Sequence, residues 1–376
     1  METKRYKLKD FAQDISVSIK DAQTSELNRF VGLEHYDSGE PVITRYTDTN
    51  LITSSVKEFQ KNDILIARRN VYLKRAGIAF FSGLTSGDSI VLRIYDDCER
   101  RTGIPKDDAV KIIPFVLNSN DFWAYANKHA DGMNSKRISK EMLYDYEFEL
   151  LPLLEQRALA NKLWSAYRLK ESYKRLLTAT QEMVKSRFIE MFGNEENHAS
   201  ILSLCDTFID GDWIEAKDQS ESGVRLIQTG NIGIGEYKDK TDKARYISEE
   251  TFERLKCTEV VEGDILISRL PEPVGRACSI PGGIGKSITA VDCTIVRLND
   301  KVLPEFFIAF TNTPYYAMQI KKVLSGTTRL RISRANLGKI QVPLPSKDRQ
   351  KQFVAIVEQS DKSVQVKQIK NTTTIK

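Results

Sequence analysis

Basic and polar side chains stand at corresponding places in the two halves of this 376-residue chain, and their types are those that contact nucleic acids. Arginine and lysine bind phosphate oxygens and the acceptor edge of guanine, while amides and hydroxyls bind adenine and phosphate. The candidates in the first half are Thr44, Arg45, Tyr46, Arg68, Arg69, Lys74 and Arg75. Those in the second half are Gln228, Thr229, Asn231, Arg269, Arg276, Lys286, Arg329 and Arg331. An ordinary solvated surface explains any single residue equally well, but their pairing across the halves favours contact with double-stranded DNA.

Three other segments approach catalytic or nucleotide-binding motifs, and each departs at a required position. Residues 279–287 (SIPGGIGKS) carry Ile280 where a phosphate-binding loop needs glycine. Residues 230–235 space their glycines as GxxGxG without the strand–helix unit of a dinucleotide site. Residues 312–315 (NTPY) have threonine where the Asn-Pro-Pro-Tyr loop of adenine methyltransferases has proline. We therefore expect no catalytic residues in this chain.

Composition and charge limit the function classes further. The chain carries 3 histidines and 5 cysteines, with no HExxH or CxxC spacing, so we expect no metal ligands and no cofactor of its own. Its net charge of +5 is compatible with a nucleic-acid partner. No long uncharged apolar run is present, and charges occupy the place of a signal peptide's apolar segment. These features predict a cytoplasmic protein without a membrane segment.

An internal repeat organises the chain. Residues 61–69 (KNDILIARR) reappear as 262–269 (EGDILISR), so that Asp63 and Asp264 are 201 residues apart, as are Arg75 and Arg276. Further along, residues 135–143 correspond to 329–337, and each copy then reaches a Leu-Pro junction followed by a helical stretch. The short β-type runs between turns within each copy predict an α+β fold with two duplicated domains.

A helix is predicted to follow each domain, so that the order along the chain is domain, long helix, domain, helix. Residues 155–191 contain no glycine or proline and predict one helix, and a shorter helix is expected from about residue 348 to 369. Coiled-coil spacing suggests that the two helices pack as an antiparallel coiled coil and dock partners. The proposed partner-binding residues are Leu159, Leu163, Tyr173, Leu177, Val184, Phe353 and Val357. The predicted boundaries are 1–150 and 194–345 for the domains, 151–193 for the central helix, and 346–376 for the C-terminal helix and tail.

This arrangement resembles the specificity subunit of type I restriction-modification systems. The resemblance covers nearly the whole chain, and the first copy keeps the pattern less faithfully, at 62–69 (NDILIARR) and 150–156 (LLPLLEQ). A short second helix departs from the family's pattern, and this departure would either weaken the docking of one partner or mark the chain as a truncated or recombined version. The segments that carry the resemblance in the second copy are 224–232 (VRLIQTGNI), 245–248 (RYIS), 263–269 (GDILISR), 326–333 (GTTRLRIS) and 342–345 (VPLP).

The resemblance implies a function for each part. In that family each mixed segment is a target recognition domain for one half of a split DNA sequence, and the helices bind methyltransferase subunits. It implies a chain that is non-catalytic by itself. Two modification subunits would methylate adenine N6 with S-adenosylmethionine, and two restriction subunits would use ATP and magnesium to translocate and cleave foreign DNA. The alternatives are a duplicated protein-binding scaffold without DNA specificity and a standalone DNA modification enzyme.

Overall fold

The protein has an α+β fold that divides into two units. The computed structural model describes residues 3–15, 17–52, 54–133 and 135–374, with the backbone alone for residues 23, 51 and 361–374. Unit 1 is Met1–Glu171 and unit 2 is Ser172–Lys376, so the division falls inside a long helix. None of the described helices combines the length and the apolar content needed to cross a bilayer.

The described residues of unit 1 form two five-stranded sheets, one two-stranded sheet and five α-helices that precede the connecting helix. Its strands are β1 (Lys4–Lys7), β2 (Ala12–Asp14), β3 (Ser18–Ile19), β4 (Arg29–Val31), β5 (Val42–Ile43), β6 (Thr47–Asp48), β7 (Val56–Phe59), β8 (Ile64–Ala67), β9 (Ala76–Ala79), β10 (Gly83–Ser86), β11 (Ser89–Ile94) and β12 (Glu147–Leu150). Its helices are α1 (Leu8–Phe11), α2 (Cys98–Thr102), α3 (Lys106–Val116), α4 (Asn120–Lys128) and α5 (Lys140–Tyr144). The sheet orders are β2-β11-β8-β9-β5, β3-β7-β10-β4-β6 and β1-β12.

Unit 2 contains two four-stranded sheets and one two-stranded sheet. The connecting helix α6 (Leu153–Phe192) precedes its strands, which are β13 (His198–Ser200), β14 (Cys205–Asp210), β15 (Gln219–Ser220), β16 (Val224–Ile227), β17 (Arg245–Ile247), β18 (Ile265–Ser268), β19 (Ala277–Ser279), β20 (Ser287–Thr289), β21 (Cys293–Leu298) and β22 (Gln341–Pro343). Its own helices are α7 (Glu249–Leu255), α8 (Pro304–Thr311), α9 (Pro314–Lys322), α10 (Arg334–Gly338) and α11 (Lys347–Thr374). The sheet orders are β14-β21-β18-β19, β15-β17-β16-β20 and β13-β22.

The predicted repeat is confirmed by strand order and register. The order β2-β11-β8-β9 in unit 1 matches β14-β21-β18-β19 in unit 2. Ile64 pairs with Leu92 on β11, and its counterpart Ile265 pairs with Val296 on β21. A buried carboxylate precedes the central strand in both units. Asp63 binds Arg93 at 2.7 Å, and Asp264 binds Arg297 at 2.8 Å.

The central strands β8 and β18 are buried along their whole length because both faces of their sheets are covered. In unit 1, Ile64 and Ile66 face the helices, whereas Leu65 and Ala67 face the second sheet. In unit 2, Ile265 shares a core with the helices and Leu266 packs in the cluster on the opposite face. Alternation along a strand thus places consecutive apolar residues in two different cores. Each unit therefore has a central sheet with helices on one side and a sheet on the other.

The long helix predicted over 155–191 is confirmed as α6, which has 40 residues. The second helix, α11, has 28 residues and is shorter, as predicted, but it continues to Thr374 rather than ending near residue 369. Side chains beyond Ser360 lie outside the described residues. The antiparallel coiled coil and the four predicted segment boundaries remain predictions.

Candidate nucleic-acid interface

Two loops of equal length hold most of the candidate arginines. We call residues 68–75, between β8 and β9, the first arginine loop, and residues 269–276, between β18 and β19, the second arginine loop. Each loop has an arginine at both ends. The residue before the last arginine is left-handed in both, Lys74 with φ 50° and Gly275 with φ 86°. The repeat therefore extends to the loop backbone.

The last arginine of each loop binds backbone carbonyls. Arg75 donates from Nη1 to Leu33 O at 3.0 Å and from Nη2 to Arg69 O at 2.9 Å. Burial lowers the pKa of both the Arg75 and the Arg276 guanidinium. The partners of Arg276 are Ile232 O at 2.7 Å, Pro271 O at 2.6 Å, Pro273 O at 3.0 Å and Thr229 O at 2.8 Å. These bonds give Arg75 and Arg276 a structural role, which leaves their proposed DNA contact without support.

The first arginine of each loop differs between the units. Arg269 is 14% exposed, lies 3.2 Å from Asp210 and donates to Val291 O at 2.7 Å, so its charge is compensated inside the unit. Arg68 shares with Arg269 a buried Nε that has no hydrogen-bond partner among the described residues, but no described carboxylate pairs with Arg68. Arg69 lies 3.5 Å from Asp88, and no described carboxylate pairs with Lys74.

Two further loops are matched between the units and carry exposed cations. We call residues 131–137 the first basic loop and residues 325–331 the second basic loop. Asp131 and Arg137 exchange backbone hydrogen bonds of 2.9 and 2.8 Å, and Ser325 and Arg331 exchange two of 2.9 Å. The second residue of each loop is a glycine with positive φ, where a side chain would meet the carbonyl across the loop. The pairing of the loop ends and the glycine that follows the first residue are therefore the same in both units.

The sequence candidates included Arg329 and Arg331 but missed the other basic residues here. Arg329, Arg331 and Arg334 are exposed, and none forms an ion pair with a described carboxylate. The missed residues are Lys136, Arg137, Lys140 and Arg334. The signal was the correspondence of 135–143 with 329–337, which aligns Arg137 with Arg331 and Lys140 with Arg334. These cations are available to an anionic partner.

The remaining first-half candidates lie on an exposed segment between β5 and β6. Arg45 is paired with Asp37 at 2.9 Å. Tyr46 is 48% exposed and packs against Phe81 with tilted rings whose centroids are 5.2 Å apart, and the Arg29 guanidinium lies over its ring. Thr44 is exposed. Tyr46 thus presents an accessible aromatic face beside a cation.

The second-half candidates near β16 and β20 are mostly engaged within the unit. Asn231 is 8% exposed; its Oδ1 accepts from Gln228 N at 3.0 Å and its Nδ2 donates to Lys238 O at 3.0 Å. Thr229 offers its carbonyl to Arg276. Lys286 pairs with Glu249 at 2.6 Å, which raises the pKa of the lysine. These residues shape the loop, so their DNA contact stays a prediction without geometric support.

The proposed partner-binding residues divide into buried and exposed groups. Phe353 is fully buried, with its ring 5.3 Å from that of Phe188. Leu159 and Leu177 are 41% and 47% exposed. Those half-buried are Leu163, Tyr173, Val184 and Val357. Leu159 and Leu177 are the most accessible to a protein partner.

The described residues give no sign of a metal centre. They contain no group of three or more His, Cys, Asp or Glu that suits a metal ion. All five cysteines are free, and burial raises the pKa of four of them well above the ordinary value of a thiol; these four are Cys205, Cys257, Cys278 and Cys293.

Comparisons with known proteins match the second half of the chain by sequence and the whole chain by fold. Residues 201–376 match the family model of the type I restriction modification DNA specificity domain. A crystal structure of a type I restriction-modification system S subunit from M. genitalium is 14% identical, with a TM-score of 0.54, over 100% of this chain and 93% of that one. The HsdS subunit from Thermoanaerobacter tengcongensis is 16% identical, with a TM-score of 0.38, over 97% and 90% of the two chains.

No curated protein sequence matches the chain. The fold likeness rests on the M. genitalium structure, since its TM-score is the higher of the two. The chain thus resembles the specificity subunits of type I restriction-modification systems, by sequence in its second half and by fold along its length.

Proposed function

We propose that this chain, given that resemblance, is the DNA specificity subunit of a type I restriction-modification complex. Each unit would recognise one half of a split DNA target. The long helices would dock methyltransferase subunits that methylate adenine with S-adenosylmethionine. Restriction subunits would use ATP and magnesium. The chain itself would supply DNA and protein contacts and no catalytic group.

One observation carries the DNA-binding part of this proposal. Both units present exposed cations on a basic loop of the same backbone geometry, and those of the second loop have no described acidic partner. Four of the other eight candidate cations are paired with carboxylates: Arg45 with Asp37, Arg69 with Asp88, Arg269 with Asp210 and Lys286 with Glu249. An exposed guanidinium that is not paired with a protein carboxylate keeps its full positive charge, and it therefore attracts a polyanion. Two such sites in one chain suit a duplex contacted at two places.

The test is methylation sequencing of the host genome with and without the gene. We expect deletion to abolish adenine methylation at one gapped, two-part sequence. Replacement of residues 1–150 with the matching part of a relative should then change one half of that sequence and leave the other half unchanged. An unaltered methylome in the deletion strain would favour the protein-binding scaffold. Methyl transfer by the isolated chain would instead identify a standalone modification enzyme.

A further inference from the structure

The basic loops are alike in the two units, whereas the interiors of the arginine loops differ. Resting on the proposed function, we infer that the two basic loops bind phosphates of the duplex, and that the interiors of the arginine loops, residues 69–74 and 270–275, distinguish its bases. The duplication within the chain carries this assignment. Every duplex presents the same phosphate backbone, while the two halves of a split target differ in their bases. A phosphate contact can therefore be the same in both units, and a base contact cannot.

The basic loops meet the requirement for a shared phosphate contact. Their end residues form the same pair of backbone hydrogen bonds, and the glycines have similar positive φ values, 114° for Gly132 and 102° for Gly326. Lys140 and Arg334 begin matching five-residue helices that follow the loops. The backbone hydrogen bonds fix the two ends of each loop, which lowers the entropy lost when side chains near those ends bind.

The charges of the basic loops, and of Lys140 and Arg334 at the start of the helices that follow them, are largely free. Lys136, Lys140 and Arg334 are exposed and form no ion pair with a described carboxylate. Arg137 lies 3.7 Å from Asp88, a long separation for an ion pair, and 43% of its side chain is exposed. Releasing these side chains to a phosphate costs little existing interaction energy.

The interiors of the arginine loops differ in chemistry at equal length. The first holds Arg69, Lys74 and Tyr72, whose side chain is 61% exposed, and so presents donors and an aromatic ring. The second presents the exposed Glu272 between Pro271 and Pro273. Guanidinium and ammonium groups bind guanine O6 and N7, whereas a carboxylate accepts a hydrogen bond from cytosine N4. The two interiors therefore suit different bases.

Hydrogen bonds join each basic loop, or the residue that follows it, to the arginine loop of the same unit. In unit 1, Asn70 N donates to Lys136 O at 2.8 Å, and Ser135 Oγ donates to Asn70 Oδ1 at 3.1 Å. In unit 2, Ile332, which follows the basic loop, donates its N–H to Arg269 O at 3.2 Å. A duplex held by the basic loop thus lies beside the loop that differs between units.

The experiment uses the full chain assembled with its methyltransferase subunits and a pool of random-sequence DNA duplexes. Binding is measured against potassium chloride concentration for two triple variants, Lys136→Gln/Arg137→Gln/Lys140→Gln and Arg329→Gln/Arg331→Gln/Arg334→Gln. Three lost phosphate contacts should lower the slope of log Kobs against log salt by about 2–3 in each variant. The sequences enriched from the pool should stay those of the wild type.

A matched control removes three cations elsewhere in unit 1. Arg100 and Arg101 are paired with Asp97, and Lys106 with Asp96, so these charges are already compensated. The variant Arg100→Gln/Arg101→Gln/Lys106→Gln should keep the wild-type slope. Tyr72→Ala and Glu272→Gln should each change the enriched sequence in one half of the target, with the slope changed by less than about 1.

The outcomes separate this inference from the proposed function. If the wild-type complex binds no duplex, the proposed function fails. If the wild type binds but both basic-loop variants keep its slope, the phosphate assignment is wrong while the proposed function stands. Loss of methyltransferase binding in those variants would make the basic loops protein-docking sites. A changed enriched sequence would make them base-recognition sites, and either result overturns the inference.

Discussion

Helices α6 and α11 each carry a glutamine as their fourth residue, yet only one of the two side chains has hydrogen-bond partners among the described residues. Gln350 accepts from Leu303 N at 2.9 Å and donates to Lys301 O and Pro345 O, both at 3.0 Å. Gln156 is 2% exposed, and neither its Oε1 nor its Nε2 has a partner among the described residues.

The residue that precedes the helix opposite each glutamine, α3 in unit 1 and α8 in unit 2, explains this difference. Leu303 caps α8 and supplies the N–H that Gln350 binds, whereas Pro105 caps α3 and has no N–H. A cavity of about 370 Å³ lies here in unit 1, lined by Pro105 and Gln156 among others. A duplicated glutamine therefore keeps its contact only in the unit whose facing helix offers a backbone N–H at its cap.

The largest expected effect concerns the next turn of the same helices, where Phe353 and Leu159 correspond. Phe353 is fully buried among Phe188, Phe192 and Phe306, whereas Leu159 is 41% exposed. We expect Phe353→Ala to lower the free energy of unfolding of unit 2 by about 3–5 kcal/mol, because it leaves a cavity. Leu159→Ala should cost less than about 1 kcal/mol. Urea unfolding followed by circular dichroism measures both; equal losses would contradict the comparison.

The buried carboxylates should behave alike in the two units. The Asp63 and Asp264 side chains are 2% and 3% exposed, while their arginine partners are 28% and 37% exposed. Removing one partner of a buried pair costs ~3–5 kcal/mol, and the partial exposure of Arg93 and Arg297 reduces this to about 2–3 kcal/mol. Asp63→Ala and Asp264→Ala should therefore give similar losses in urea unfolding. A loss confined to one unit would show that only one pair is structural.

Exchange of the capping residues tests the glutamine comparison directly. Leu303→Pro removes the donor to Gln350 and should cost about 1–2 kcal/mol, since a buried acceptor loses its partner. Pro105→Leu supplies the missing N–H in unit 1 and should stabilise it by about 0.5 kcal/mol, the hydrogen bond being partly offset by a more flexible unfolded chain. The extended φ and ψ of both residues permit the exchange. Destabilisation by Pro105→Leu that matches that of Leu303→Pro would sink this account.

The smallest effect is on thiol reactivity. Burial raises the pKa of Cys293 and Cys278 to about 12, and it also raises that of Cys98 in unit 1. Because the thiolate is the reactive form, alkylation of these thiols in the native protein should be much slower than in the urea-unfolded protein at both pH 7 and pH 8.5. In urea, Cys98 should report the opening of unit 1, and Cys278 and Cys293 that of unit 2. Phe353→Ala should then advance the labelling of unit 2 alone, as detected by peptide mass spectrometry.

Several features were accessible from sequence because they depend on local patterns. The 201-residue spacing of Asp63 and Asp264 predicted a repeat that the matching registers confirm. The run without glycine or proline predicted α6 within two residues at its start and one at its end. The α+β fold class followed from short β runs between turns, and it is confirmed.

The tertiary structure alone decided which cations are free. Arg75 and Arg276 occupy corresponding positions in the repeat and are of a residue type that contacts DNA. Their guanidinium groups instead bind the carbonyls of Leu33 and Ile232, which are more than 40 residues away along the chain. Sequence spacing does not reveal such partners, because a guanidinium's hydrogen bonds depend on which distant backbone the fold brings near it. Sequence thus determined where the cations lie along the two copies, and only the packed chain determined which of them remain available to DNA.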